Sequence, residues 1–132
     1  MARNKTDIAA RSTVRFVVLH HVEATGDHYD LMIEMGNQLA TWKLHDPPEH
    51  IESEPYGVDR LPDHRPLYLD YEGPISGDRG HVTRHDSGVC VVHKHTDTRW
   101  AVTFCGQHLK GDYILECLDQ SGARWRLRRP EI

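Results

Sequence analysis

The sequence predicts an all-β protein, a small antiparallel β-barrel of about eight to nine strands with little helix. Short segments of alternating apolar and polar residues recur along the chain, and residues 99–105 are a clear example. Turn signals such as Gly36-Asn37 and Gly73-Pro74 separate these segments at regular intervals. No long segment shows the spacing of apolar side chains that an amphipathic helix requires. We therefore expect the strands to surround one core.

Length and charge limit the class of protein. A chain of 132 residues suits one domain. We expect the polar residues 1–13 to form a flexible arm and residues 14–132 to form the barrel. The formal net charge of −4 excludes a protein that coats nucleic acid through bulk positive charge. Any phosphate binding must therefore come from a local patch.

The apolar segments and the cysteines indicate a compartment. No segment has the length of a membrane span or the pattern of a secretory leader. Cys90, Cys105 and Cys117 lie in apolar runs without metal-ligand spacing. They predict buried, reduced thiols. We expect a cytoplasmic monomer that does not associate with membranes.

The first part of the chain predicts three strands, over residues 14–21, 28–35 and 38–45. A loop over residues 22–27 joins the first two, and Gly36-Asn37 joins the next two as a hairpin. If Met35 pairs with Gln38, Asp30 lies opposite Lys43 and His28 lies opposite His45. These four polar side chains then share one face of the hairpin, and the apolar residues between them face the core.

The rest of the chain predicts an irregular segment and then a meander. Residues 46–63 contain four prolines and are predicted to be an irregular excursion. Residues 66–72 predict a strand that places Leu67, Leu69 and Tyr71 on one face, and His64 and Tyr68 share the opposite parity. Further strands are predicted over residues 81–85, 89–95, 99–105, 112–118 and 123–128, with a turn at 86–88.

A candidate metal site lies between His20 and Glu34. His28 and Asp30 project from one strand face about 7 Å apart, and we expect the preceding loop to bring His21 to them. Two imidazoles and one carboxylate can hold a catalytic divalent cation such as Mn²⁺ or Zn²⁺ and leave positions for water and substrate. The alternative is an exposed strand that happens to carry histidines. His64 and Tyr68 are more distant candidates for the same site.

Two further clusters have competing interpretations. The first comprises His81, His85, His93 and His95, which could form a metal site or could be exposed hairpin residues. The second is a row of arginines on the last strand, which could contact phosphates or could form a solvated face. Its members are Arg124, Arg126, Arg128 and Arg129.

The blocks RFVVLHH, HYDLMIE, DHRPLYLDYEG and GQHLKGDYIL, in this order, resemble the 3′-phosphoesterase domain of bacterial ATP-dependent DNA ligase D. The similarity extends from Arg15 to about Arg126. It implies an eight-stranded β-barrel that removes 3′-terminal ribonucleosides and 3′-phosphates from DNA ends with Mn²⁺. It also implies DNA or RNA-DNA 3′ ends as partners in repair, together with ligase or polymerase repair proteins.

The resemblance assigns roles by position. It implies that His21, His28 and Asp30 are the metal ligands and that two further residues are catalytic. These are His64, which would contact the scissile phosphate, and Tyr68, which would orient it. The segment between His21 and His28 is one residue longer than in the family, so His20 competes with His21 for the ligand position.

One departure from the family bears on activity. The phosphate-binding arginine of the family is Met32 here, and losing a guanidinium at a phosphoryl centre costs orders of magnitude in rate. Lys43, Arg60 and Arg65 could compensate, and His45 could bind substrate on the same face as Lys43. The sequence therefore predicts a metal-dependent 3′-phosphoesterase. The alternative is a catalytically weak or inactive module that binds metal and nucleic-acid ends.

Overall fold

A computed structural model describes residues 11–51 and 55–131. Its strands are β1 (Ser12–Glu23), β2 (Gly26–Met35), β3 (Gln38–Leu44), β4 (Tyr56–His64), β5 (Gly73–Pro74), β6 (His81–His95), β7 (Arg99–Cys105), β8 (Lys110–Cys117) and β9 (Arg124–Arg128). Two 3₁₀ helices, Pro48–His50 and Pro66–Leu69, complete the described elements. The predicted fold class is confirmed.

Eight of the strands close into an antiparallel barrel. The order is β1-β2-β3-β4-β9-β8-β7-β6, and β6 returns to pair with β1. This closing ladder extends from Ser12 opposite Val92 to Val22 opposite His81. The short β5 adds to the side of β6 through Gly73 and Pro74. Closure gives the barrel strands partners on both sides, which leaves few free backbone groups along the wall.

The barrel interior is filled by the apolar side chains that the alternation predicts. Leu31, Ile33 and Trp42 are fully buried in the interior cluster. Trp42 meets Trp100 and Trp125 edge-to-face, with ring centroids 5.2 and 5.7 Å apart. Aromatic pairs in this geometry stabilise a core beyond the apolar area that they bury.

A second apolar cluster lies on the outside of the barrel wall. Its buried members are Val17, Leu19, Met32, Leu39, Leu69 and Val82. The segment that follows β4 packs Tyr68, Tyr71 and Ile75 against them. The outer face of β1 and β2 is therefore covered there, and the side chain of Asp30 is only 5% exposed. This cover gives the predicted polar face a partly apolar surrounding.

The hairpin predictions are confirmed at one turn and corrected at the other. Met35 pairs with Gln38 and Asp30 with Lys43, as the Gly36-Asn37 turn predicts. The described ladder ends at Tyr29 opposite Leu44, so the expected pairing of His28 with His45 does not form. The loop expected over residues 22–27 is wrong, because β1 and β2 stay paired as far as Glu23 opposite Gly26.

The proline-rich segment is more regular than predicted. Its second half forms β4, which pairs with β3 and β9. Leu39 pairs with His64 and Thr41 with Leu61, so two residues of β4, Pro62 and Asp63, lie opposite one residue of β3. Proline is tolerated at such a bulge because the ladder bond is already absent. Residues 52–54 lie outside the described part of the chain.

The strand predicted over residues 66–72 is wrong. Pro66–Leu69 form a 3₁₀ helix in which the Tyr68 N–H donates to the Arg65 carbonyl at 3.2 Å. Proline suits the first turn of a helix for two reasons. Its fixed φ is close to the helical value, and its missing N–H costs no hydrogen bond there, because the first N–H groups of a helix have no partner within it. The helix buries Leu69 and leaves Leu67 exposed, whereas a strand would have placed both on one face.

The turn predicted at residues 86–88 is also wrong, because β6 continues through it. Val18 pairs with Asp86 and Leu19 with Arg84, so His85 is the extra residue of a β-bulge. The Asp86 carboxylate is buried and accepts four backbone N–H groups, from Ser87, Gln107, His108 and Leu109. This aspartate therefore holds the β7–β8 turn from the neighbouring strand β6.

Replacing Asp86 with alanine is expected to destabilise the fold by about 3 kcal/mol, because buried N–H donors lose a charged acceptor. Urea unfolding followed by tryptophan fluorescence measures the change. Asp119→Ala is the matched control, because Asp119 also accepts backbone N–H groups but is exposed. Equal losses in the two variants would contradict this account.

Two smaller predictions need correction. Most of the arm expected over residues 1–13 lies outside the described residues, but Ser12 and Thr13 already belong to β1. Cys90 is buried and Cys117 is partly buried, but Cys105 is exposed. Burial raises the pKa of the Cys90 thiol to about 12, which keeps it unreactive.

Among the described residues, no helix is both long and apolar enough to cross a membrane.

Candidate metal centre

Three polar side chains converge on the outer face of the β1–β2 hairpin. The ladder places His21 opposite His28, and Asp30 lies two residues further along the same face. One ligand atom from each residue lies within 4.8 Å of the other two. His21 is a strand residue, so the expectation that a loop folds it back is wrong. The backbone ladder itself brings the two histidines together.

Neighbouring groups set which nitrogen of His21 can bind a cation. The Nε2 atom lies 2.7 Å from the carbonyl oxygen of Arg79. A carbonyl can only accept, so Nε2 carries the hydrogen and Nδ1 keeps its lone pair. This Nδ1 lies 3.8 Å from Oδ2 of Asp30. A backbone partner of this kind is the usual way in which a ligating histidine is oriented.

One oxygen of the Asp30 carboxylate lacks, within the described part of the chain, the hydrogen-bond partner that a buried polar atom normally has. Its Oδ1 is buried and makes no hydrogen bond with the described residues. Nε2 of His28 lies 3.1 Å from it, but the contact does not have hydrogen-bond geometry. An unpaired buried carboxylate oxygen is costly. A divalent cation bound by Asp30 Oδ1 and His28 Nε2 would give both atoms a partner. The residues present therefore fit a metal that prefers nitrogen and oxygen ligands.

His20 lies on the other side of the barrel wall. Its ring stacks on Tyr29 with centroids 4.5 Å apart, and its Nε2 lies 2.6 Å from Oδ2 of Asp27. Consecutive strand residues project to opposite faces. The structure therefore brings His21, and not His20, to His28 and Asp30.

A pocket of about 100 Å³ opens beside these residues. It is lined by Leu19, His21, Asp30, Met32, His64, Tyr68, Ile75, Arg79 and Val82. The predicted candidates His64 and Tyr68 therefore share it with two of the three metal-site residues. Their ring centroids are 5.9 Å apart. Nδ1 of His64 donates to the Pro62 carbonyl at 2.8 Å, which leaves Nε2 available in the pocket.

None of the four residues expected to bind substrate is among the residues that line this pocket. Lys43 lies on the outer face between Asp30 and Asp59, beyond the pocket lining. His45 is exposed, with its Nε2 3.6 Å from the Asp59 carboxylate. The Arg60 guanidinium lies 4.6 Å from the Trp42 ring, on the interior side of the wall. Arg65 is exposed just before the 3₁₀ helix.

Arg79 is the residue of this pocket that sequence reasoning missed. It lies in the segment between β5 and β6, which has no periodic pattern. The available signal was an arginine inside the glycine-rich sequence Ser76-Gly77-Asp78-Arg79-Gly80. Such loops can approach a ligand closely because glycine adopts backbone angles that other residues avoid. Three residues of this loop, Gly77, Asp78 and Gly80, have φ angles of 76°, 59° and 81°.

Of the two interpretations of His81, His85, His93 and His95, a shared metal site does not form among the described residues. His93 Nε2 lies 2.7 Å from the Thr103 hydroxyl, and His95 stacks on Trp100. His85 instead lies 2.8 Å from Glu49. With His108 these two residues form a second group that could hold a metal, and it is more exposed than the first.

Three of the four arginines in the row on β9 bind other groups of the same chain. Arg126 and Arg128 both bind the carboxylate of Glu116. Arg129 donates to the Lys110 and Asp112 carbonyls. The guanidinium groups of Arg128 and Arg126 lower the pKa of Glu116 to about 2. The row therefore has a structural role in the β8–β9 pair.

Replacing Glu116 with glutamine is expected to cost about 1–2 kcal/mol at pH 7, after allowance for solvent screening. Because the folded state lowers this pKa below its ordinary value of 4.5, the contribution is complete above that pH and disappears as the pH falls toward 2. Urea unfolding at pH 7, 4 and 3 measures the difference from wild type. A difference that does not shrink with acid would contradict the assignment, and Asp97→Asn, at an exposed carboxylate between β6 and β7, is the control for lost surface charge.

Comparison with known families places this geometry in context. A family model described as "DNA Ligase D 3'-phosphoesterase domain" matches residues 19–116. The matched region is well over half of the chain, and it contains His21, His28, Asp30, His64 and Tyr68. No curated protein matches the chain.

Proposed function

Because the chain belongs to the DNA ligase D 3′-phosphoesterase domain family, we propose that it is a Mn²⁺-dependent phosphoesterase that acts on 3′ ends of DNA in repair. Its substrates are 3′-phosphate and 3′-ribonucleotide ends of DNA or RNA-DNA. The observation that carries the proposal is the unpartnered Asp30 oxygen, which lies between two histidines at a pocket that also contains His64 and Tyr68. Ligase or polymerase repair proteins in the cytoplasm are the expected partners, and Zn²⁺ is the alternative metal.

Each residue of the pocket has a step that its geometry suits. His21, His28 and Asp30 would hold the cation, which when bound neutralises phosphoryl charge and makes a coordinated water more acidic. His64 presents Nε2 to the pocket, where it can contact the phosphoryl group or give a proton to the departing sugar oxygen. The Tyr68 hydroxyl can donate to a phosphoryl oxygen. The apolar side chains of Leu19, Ile75 and Val82 limit the entry of water into the pocket. The electrostatic interactions between the charged groups are stronger there, because the local dielectric constant is lower.

Phosphate release from a primer-template that ends in a 3′-phosphate tests the proposal. We expect release that requires Mn²⁺ and disappears in His28→Ala. His20→Ala is the matched control, because its ring lies on the other side of the wall, and it should retain the activity. A wild-type protein that behaves like His28→Ala with every divalent metal would reject the enzymatic function.

A second function, binding of metal and DNA ends with little turnover, is favoured by one observation. Met32 is 1% exposed on the outer face two residues after Asp30, so an apolar side chain occupies the pocket wall there. If wild type binds 3′-phosphate DNA but does not hydrolyse it, Met32→Arg separates the two functions. A gain of hydrolysis in a folded variant identifies a decayed enzyme, whereas binding without any gain identifies a module for end recognition.

A further inference from the structure

The pocket beside the candidate metal centre has one arginine, Arg79, among its described lining residues. Transfer and hydrolysis of phosphoryl groups depend mainly on stabilising negative charge on the nonbridging oxygens. Apart from the histidines, the lining residues with an ionisable or hydroxyl side chain are Asp30, Tyr68 and Arg79. Arg79 is therefore the lining residue with a permanent positive charge.

The backbone of Arg79 is fixed next to the metal centre. Its carbonyl oxygen accepts the hydrogen bond from Nε2 of His21. The loop is closed by a bond of 2.8 Å from the Ile75 N–H to the Gly80 carbonyl. A Cβ atom at Gly80 would lie 1.9 Å from the Val22 carbonyl oxygen, so the loop is pressed against β1. The Arg79 side chain thus starts from a backbone position that cannot easily move away.

The guanidinium is oriented but not neutralised. Nε donates to the Ser76 carbonyl at 2.7 Å, and Nη2 donates to the Ser76 hydroxyl at 3.3 Å. Nη1 donates to none of the residues in the described ranges, and none of their carboxylates lies within ion-pair distance of Arg79. By contrast, Arg126 and Arg128 share Glu116. A guanidinium held on one edge and free on the other is ready to bind an oxyanion.

We propose that Arg79 binds the nonbridging oxygens of the 3′-phosphoryl group, with Ser76 as its positioning residue. This inference rests on the proposed function, because it assigns the phosphate ligand of the same pocket. The phosphate would then be bound by side chains of two segments, the β1–β2 hairpin, which would hold the cation, and the β5–β6 loop, which carries Arg79. An arginine at position 32 is then unnecessary, since Arg79 brings the charge from the β5–β6 loop instead of from β2.

Two variants test the inference in the full chain. Arg79→Gln is expected to lower kcat/KM on 3′-phosphate DNA at least 100-fold and to weaken competition by inorganic phosphate at least 10-fold. Arg79→Lys should recover part of the phosphate affinity, because it restores the charge without the paired donors. Mn²⁺ affinity should stay within a factor of three in both, since the carbonyl of residue 79 still orients His21. Arg99→Gln, an exposed arginine at the start of β7 outside the pocket lining, is the matched control and should behave as wild type.

The outcomes separate this inference from the proposed function. If wild type is active and Arg79→Gln keeps wild-type kcat/KM and phosphate competition, the assignment of Arg79 is overturned and the enzyme remains. If wild type shows no hydrolysis, the proposed function fails, and calorimetric titration of the Mn²⁺-loaded protein with inorganic phosphate still decides the role of Arg79. Equal phosphate affinity in wild type and Arg79→Gln then overturns it, and a 10-fold loss supports it. Circular dichroism establishes that each variant is folded.

Discussion

Replacing Asp30 with asparagine should abolish Mn²⁺ binding and phosphate release while leaving the metal-free protein at least as stable as wild type. The two effects have opposite signs because the buried carboxylate has an oxygen without a hydrogen-bond partner. In the absence of metal its charge is a cost, and neutral asparagine removes that cost. With metal present the same charge is the one anionic ligand beside two neutral imidazoles. Residues that serve function at the expense of stability behave in this way.

Isothermal titration with Mn²⁺ and urea unfolding in chelator measure these two effects. We expect at least a 100-fold loss of Mn²⁺ affinity and no loss of unfolding free energy in Asp30→Asn. Asp27→Asn is the matched control, because Asp27 also pairs with a histidine of this hairpin but is itself exposed and lies on the other side of the wall from the metal centre. It should keep both Mn²⁺ affinity and activity. An Asp30→Asn protein that is destabilised and still binds Mn²⁺ would show that the carboxylate has only a structural role.

Replacing His64 with alanine should lower the rate of phosphate release by 100- to 10,000-fold, which is the usual contribution of a positioned acid–base residue. Mn²⁺ affinity should not change, since His64 comes from β4 and the three metal-site residues come from β1 and β2. The Pro62 carbonyl fixes the hydrogen on Nδ1, so Nε2 is the atom that meets the substrate. The effect should therefore appear in turnover and not in metal loading.

A change of leaving group separates the two roles that His64 can have. If it protonates the departing sugar oxygen, the loss in His64→Ala should be much smaller on an aryl phosphate, whose leaving group needs no proton. If it stabilises the phosphoryl oxygens, the loss should be similar on both substrates. His50→Ala is the matched control, because this exposed histidine lies outside the pocket lining. Unchanged turnover in His64→Ala would remove it from the catalytic residues.

The hairpin that carries the candidate site was predictable because its signals are local. Alternation alone places Leu31 and Ile33 in the core and places His28 with Asp30 on the opposite face. The Gly36-Asn37 turn then fixes the register with β3. The path between His21 and His28 was predicted wrongly as a loop, because Gly26 and polar neighbours suggested a break where the ladder continues.

The features that the sequence predicted wrongly or missed depend on contacts between distant parts of the chain. Nothing in the pattern around Asp86 shows that its carboxylate accepts N–H groups from residues 107–109, so a turn was the natural prediction. Residues 66–72 can alternate as a strand or curl as a 3₁₀ helix, and burial of Leu69 on the outer wall decides between them. Arg79 reaches the pocket through such a contact, its bond to His21.

The placement of His21, His28 and Asp30 on one hairpin has a consequence for the order of folding. Their contacts span a short loop, whereas closing the barrel requires Ser12 to find Val92 and Val22 to find His81. Short-range contacts form earlier, because less chain entropy is lost in closing a small loop. A β1–β2 hairpin that forms early would therefore bring the three candidate ligands together before the barrel closes. We expect His64, Tyr68 and Arg79 to join only on closure, so that a cation could bind before the pocket is complete.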